Sequence, residues 1–264
     1  MKLKIALSIA LIVAIPALVS ADSLSIGQEF HQQTSFGDKG AKAESPTFGK
    51  QIPLYKEYPN ATKLKLPAPT ESDFPLEKAI AGRMSIRKLS DKPLTLPQLS
   101  RLLLSADGLT RRYADYAFRS APSGGALYPI DIYIIAANID SLTSGLYHFQ
   151  VSDSSLELVK PGDFNDSIHH ASNGQAAVGS SALTVVMTAR FDRITAKYAD
   201  RGYRYAYIEA GSICQNIYLQ ATALGLGTVA VGAFNDDALN KLLEIDGVSE
   251  AALLIMPVGI PQGK

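Results

Sequence analysis

Residues 182–189 read Ala-Leu-Thr-Val-Val-Met-Thr-Ala, and residues 205–224 read YAYIEAGSICQNIYLQATAL. The first run is an apolar strand. The second is the longest predicted helix. Ala206, Ala210, Ile213, Ile217, Ala221 and Leu224 recur at helical spacing, and Gly225 follows as a stop. Further strands are predicted at 130–137, 228–233 and 251–258, with a hairpin of 145–149 and 156–159 around Ser152-Asp153-Ser154. Thr95 caps a helix from Pro97 that carries Leu99, Leu102, Leu103 and Ala106. Ser72 or Asp73 caps a short one with Leu76, Ala79 and Ile80 on one face, and Asn235 caps one with Leu239, Leu242 and Leu243. No regular βαβ repeat runs through this order, so the fold class is α+β with one sheet covered by helices.

The rest of the chain bounds the reading. Of 264 residues, 47% are hydrophobic and 19% charged, which excludes a disordered chain. Twenty-five basic residues balance 25 acidic ones, so no global field points to nucleic acid. One cysteine excludes an intrachain disulfide, and four scattered histidines suggest no metal site. Lys2 and Lys4 precede an apolar run from Ile5 to Val19, and Val19-Ser20-Ala21 offers small residues before Asp22. That is the order of a secretory signal peptide over 1–21, cleaved between Ala21 and Asp22. The expectation is an exported protein, periplasmic or secreted, with no stable membrane span after cleavage. Residues 22–74 are polar, aperiodic and rich in proline. They are expected to form an extended arm, with Phe48, Tyr55 and Tyr58 as pins, ahead of one domain over 75–264.

Four segments could carry chemistry. In Arg83-Met84-Ser85-Ile86-Arg87, an extended backbone turns Arg83, Ser85 and Arg87 to one side and Met84 and Ile86 to the core. Two guanidiniums and a hydroxyl suit a phosphate, although a solvated loop has the same composition. Pro122-Ser123-Gly124-Gly125 lets backbone approach a flat ligand, or is an ordinary strand-entry turn. Between Arg190 and Tyr207, a dense Arg, Lys and Tyr mixture lines a pocket or coats a helix. Lys197 and Tyr198 lie within it and are plausible proton carriers. Gly225, Gly227 and Gly232 allow close approach of a ligand or simply end a helix. On the long helix, Glu209 and Asn216 flank the apolar stripe and could face ligand or solvent, and Cys214 reads as packing.

Taken in order, these segments resemble the nitroreductase superfamily of FMN-dependent oxidoreductases, nearest to its SagB/ThcOx-type dehydrogenases. The resemblance runs from Phe30-His31-Gln32-Gln33-Thr34-Ser35 through Tyr55-Lys56-Glu57-Tyr58 and Leu66-Pro67 to Val258-Gly259-Ile260-Pro261. It implies a central, mostly antiparallel sheet covered by helices and FMN at a homodimer interface. Arg83, Ser85 and Arg87 match the segment that holds the FMN phosphate and ribityl chain. Pro122, Ser123 and Gly124 match the loop beside the isoalloxazine, often the partner's. Gln215, Gly225, Gly227 and Gly232 match positions that approach the cofactor, and Lys264 one that reaches the phosphate. Lys197-Tyr198 resembles the catalytic pair of azoline-oxidising members. Ser212 stands where many relatives carry His. The function implied is two-electron hydride transfer on a small or peptidic substrate. Two other readings stay open: a flavin-binding envelope protein without turnover, and an interaction protein that uses the arm.

Overall fold

The computed structural model describes residues 24–37, 52–69, 72–113 and 116–263. The expected signal peptide, Phe48 and Lys264 lie outside these residues. The chain divides into two compact units, Met1–Glu44 and Ser45–Lys264. In the first, α1 (Ile26–Gln33) is closed by a capping box. Ser25 accepts from the Gln28 amide, and the Gln28 side chain accepts from the Ser25 amide.

The second unit runs β1 (Thr62–Lys65), α2 (Leu76–Gly82), α3 (Leu96–Asp107), β2 (Leu109–Tyr113), β3 (Tyr116–Arg119), β4 (Ile130–Ala136), β5 (Gly145–Gln150), β6 (Ser155–Pro161), α4 (Asn165–Ala171), α5 (Ala176–Gly179), β7 (Leu183–Arg190), α6 (Phe191–Tyr198), α7 (Arg201–Ala223), β8 (Gly227–Thr228), α8 (Asp236–Leu243) and β9 (Glu250–Gly259). Seven of these strands form one sheet in the order β1-β6-β5-β4-β7-β9-β8, and every pairing in it is antiparallel. β2 and β3 make a separate hairpin.

The central strands are buried on both faces, which explains their unbroken apolar runs. Ile130, Ile132 and Ile134 of β4 point with Val185 and Met187 of β7 into the core that holds α3 and α7. Tyr133, Ile135 and Val186 point the other way, onto Ile168 of α4, Val178 of α5 and Leu239 and Leu243 of α8. Alternation across each strand divides one sequence run between two layers.

Several expectations are met, and others need correction. Thr95 and Gln98 form a capping box, and Asn235 accepts from the Ala238 amide. The strand expected over 228–233 is only Gly227–Thr228, followed by an isolated bridge from Val231 to Ile255. The cap of α2 is Pro75, not Ser72 or Asp73. Pro75 has the fixed φ that opens a helix and no amide left to satisfy. On α2 only Ala79 is buried; Leu76 and Ile80 are 59% and 56% exposed.

The stretch expected to be one arm is divided at residue 44. Its later part joins the sheet, because residues 62–65 pair with β6 as an edge strand. Tyr55 and Tyr58 do hold it. Tyr55 lies under the Arg119 guanidinium, and Tyr58 meets the Tyr133 hydroxyl at 2.9 Å. Between them, Lys56 donates to Glu250 at 2.6 Å and to Tyr133 at 2.5 Å.

Candidate active site

The Pro122–Gly125 turn lies between the hairpin and β4. Gly125 sits at φ 66°, ψ 17°, in the left-handed region. A side chain would be strained there for a second reason: its Cβ would stand 2.5 Å from Tyr198 Oη and 3.0 Å from Lys197 Nζ. The two polar ends of the Lys-Tyr pair therefore converge on one backbone position. Gly124 is looser, with its Cβ position 3.5 Å from the Tyr205 ring. Tyr205 meets Tyr198 edge-on at 5.0 Å and receives the Arg201 Nε–H at 3.3 Å.

Local backbone geometry brings the pair there. Lys197 and Tyr198 close α6, and Ala199 follows at φ 45°. This residue reverses the chain, and Gly202 packs tightly against Ile194, its Cβ position 3.1 Å away, so α7 folds closely back on α6. The Ser123 hydroxyl accepts the Tyr128 amide at 2.8 Å. That side chain thus braces its own turn, while its backbone stays at the surface of the site.

The Arg-x-Ser-x-Arg segment runs beside β8. The Ile86 amide donates to the Thr228 carbonyl at 2.9 Å. A Cβ on Gly227 would fall 2.8 Å from Ile86 and 2.9 Å from Leu89, so glycine there sets the approach of the two segments. Arg83 and Ser85 share a side as expected. The Arg83 guanidinium lies 5.2 Å from the centre of the Tyr218 ring, and Ser85 Oγ is 3.0 Å from Tyr218 Oη. Tyr218 Oη also accepts the Ala230 amide at 2.8 Å. Arg87 is exposed.

Met84 is a correction: it is 61% exposed, not buried. The segment bonds to β8 through Ile86, and the described residues leave the Met84 face uncovered. Gln215 is exposed one turn before Tyr218. Gly225 (φ 69°) ends α7 in a Schellman motif, with Leu226 N donating to Ala221 O and its own amide to Thr222 O. Gly232 is exposed with open space at its Cβ position. Cys214 is half-buried against the core, and burial pushes its thiol up to about 11.

The expected site residues form two clusters within one chain. The turn meets α7 at Tyr205, and the arginine segment meets it at Tyr218. Thirteen positions on one helix separate them by about 20 Å at about 1.5 Å per residue.

Buried charges brace the turn from behind. Arg119 reaches Asp107 at 2.6 Å and lies 4.5 Å over the Tyr128 ring. Arg193 donates to the Tyr128 carbonyl at 2.5 Å and faces Asp131 at 3.4 Å. Burial pushes Asp107 up to about 7 against the pull of Arg119. Asp131 is held below the usual carboxylate range because Arg193, His148 and Arg119 outweigh its own burial. Of the two settings the sequence left open for Glu209, ligand or solvent, its 2% exposure excludes solvent. Asn216, two turns further along α7, donates to the Ala106 carbonyl. Tyr218, Asp107 and Arg119 were not singled out. A buried acid paired across a hairpin leaves no local signature in a sequence.

The nitroreductase family model matches residues 80–260. A Methanocaldococcus jannaschii protein named "Putative nitroreductase" is 34% identical over 196 residues, 74% of this chain and 96% of that protein. The Escherichia coli microcin B17-processing protein McbC is 26% identical over 89% of this chain and 90% of its own. A chain of the E. coli microcin synthetase McbBCD complex with truncated pro-MccB17 bound superposes with a TM-score of 0.61 at 25% identity, over 89% and 91% of the two chains. A nitroreductase-like structure from Anabaena variabilis superposes with a TM-score of 0.74 at 24% identity over 92% of this chain. This chain spans about half of it, 49%. The chain belongs to the nitroreductase family and is an oxidoreductase of that family. Its likeness to McbC supports the SagB-type branch.

Proposed function

We propose that this chain is an FMN-dependent dehydrogenase that works as a homodimer on a small or peptidic substrate. The observation that carries the reading is the convergence of Lys197 Nζ and Tyr198 Oη on Gly125. The residues fit a flavin mononucleotide. Arg83 and Arg87 supply fork-shaped donors for a phosphate, and Ser85 adds a hydroxyl held by Tyr218. The Ser123–Gly125 backbone offers a surface without side chains for a planar ring system.

FMN, when bound, supplies the two-electron acceptor. The chain's own residues orient substrate and handle the proton. Loss of a hydride from a C–H bond leaves a proton to be removed from the adjoining atom, and Lys197 Nζ and Tyr198 Oη are the groups at hand. The likeness to a microcin-processing protein favours a peptide substrate.

The separation along α7 supports a dimer. One chain holds the phosphate segment and the turn about 20 Å apart, so two chains crossing at α7 would build each site jointly. Exposed Leu76 and Ile80 on α2, Met84 in the arginine segment and Ile208 on α7 supply apolar surface. Export is part of the proposal and rests on Lys2, Lys4 and the apolar run after them. Outside the cytoplasm, oxygen or a quinone would take the electrons.

The test is the visible spectrum of the purified protein with and without added FMN. Bands near ~370 and ~450 nm that persist through gel filtration support the reading. They should be lost in an Arg83→Ala, Arg87→Ala double variant of unchanged mass. No binding in excess FMN would overturn it. Native mass measurement tests the dimer, and the N-terminal sequence of protein recovered from the cell envelope tests export.

A further inference from the structure

One buried acid has no part in this scheme. Glu209 faces inward from the middle of α7, and neither carboxyl oxygen completes a hydrogen bond. A bare carboxylate in such a place is costly. Its surroundings are the underside of the Pro122–Gly125 turn. The Ser123 hydroxyl and the Ile130 amide approach it, with Asp107 from the end of α3 and Arg119 from the end of β3 also facing it. Tyr128 lies within the reach of its charge. One helical turn earlier on α7, Tyr205 backs Gly124. Because Ser123 Oγ already accepts the Tyr128 amide, one proton and one lone pair of that hydroxyl are left for Glu209.

We propose that Glu209 is the positioning residue of the turn: its carboxyl, seated beneath Ser123, fixes the backbone of Ser123, Gly124 and Gly125 against Lys197 and Tyr198. This deepens the flavin reading and rests on it. The uncharged acid can donate to Ser123 Oγ and accept from the Ile130 amide at once. Among the described residues the charged form has no cation to itself, because Arg119 is engaged by Asp107 at 2.6 Å. Burial pushes Glu209 up to about 8, Asp107 adds to the rise, and Ser123 and Arg119 oppose it. The turn is therefore set at neutral pH and released in mild alkali. Between about pH 6.5 and about pH 9 the protonated fraction falls about tenfold, and apparent FMN affinity falls with it.

The experiment is hydrogen exchange at the Ala126, Leu127 and Tyr128 amides of the flavin-free chain at those two pH values, corrected for intrinsic rates. FMN titration runs alongside. Wild type should lose about tenfold affinity and about thirtyfold protection at the higher pH, because the released fraction rises from about 3% to about 90%. Glu209→Gln, neutral at both, should lose neither. Glu209→Ala should leave the turn unprotected at both; should it not fold, the glutamine variant decides alone. Asp107→Asn removes a carboxylate that raises Glu209 and frees Arg119 toward it, so its response should move to lower pH. A pH response that survives in Glu209→Gln overturns the proposal. So does a folded Glu209→Ala chain with a turn as protected as wild type. Absence of FMN binding with the exchange pattern intact would remove the flavin reading and leave Glu209 as the brace of the turn.

Discussion

Replacing Gly125 with alanine separates catalysis from stability at one backbone position. The new methyl would stand 2.5 Å from Tyr198 Oη and 3.0 Å from Lys197 Nζ. Ordinary contact begins near ~3.4 Å, so the phenol must retreat by about 0.9 Å and the ammonium by about 0.4 Å. Both are the far ends of flexible side chains and can move. The stability cost is then mainly the left-handed backbone at φ 66°, about 1–2 kcal/mol, or about 2–4 °C in Tm per kcal/mol for a chain of this size. The chemical cost is larger, because a displacement near 1 Å of a proton-transfer group can lower a rate by about 100-fold. The assay is single-turnover reduction of bound FMN by an azoline-bearing peptide, the substrate class that the resemblance of Lys197-Tyr198 implies, beside a thermal melt and an FMN titration. The expected outcome is a rate loss of about 10- to 100-fold with a Tm drop of only a few degrees. Gly124→Ala, whose methyl would meet Tyr205 at 3.5 Å, should stay within a few-fold of wild type. A Gly125→Ala enzyme as fast as wild type would refute the placement of Lys197 and Tyr198 at the reacting centre. So would equal losses in the two variants.

Tyr218→Phe leaves the Ser85 hydroxyl and the Ala230 amide without their shared partner; urea unfolding should show a loss of about 1–3 kcal/mol, and FMN affinity should fall with it. Asp107→Ala strips the buried Arg119 of its counter-ion and should cost about 3–5 kcal/mol, read from the urea midpoint at constant slope. Glu209 also imposes a pH slope on stability. Its folded-state pKa is raised to about 8 from an ordinary value of 4.5, so the folded chain keeps a proton that the unfolded chain releases in that window. Stability therefore falls as pH rises from 4.5 to about 8, by at most about 5 kcal/mol, and levels off above. Glu209→Gln should remove that part of the slope; an unchanged slope would show that Glu209 is ionised in the fold.

Local signals in the chain were sufficient for much of the fold. Period-two and period-3.6 patterns depend only on neighbours, so the apolar strand at 182–189, the long helix and its glycine stop were legible. Capping is equally local, which is why Thr95 and Asn235 read correctly. The glycines of the turn and the guanidiniums of the arginine segment were visible as residue types. Tertiary structure decided what covers each face. Met84 has the pattern of a buried residue but is exposed among the described residues, while Glu209 looks like a surface acid and lies under a turn contributed from about 85 positions earlier. Residues 62–65 are too short and polar to announce a strand, and β6 supplies their hydrogen bonds. The spacing of the two site clusters along α7 is likewise a property of packing. A sequence states which side of an element avoids water, but only the folded chain states which partner meets it.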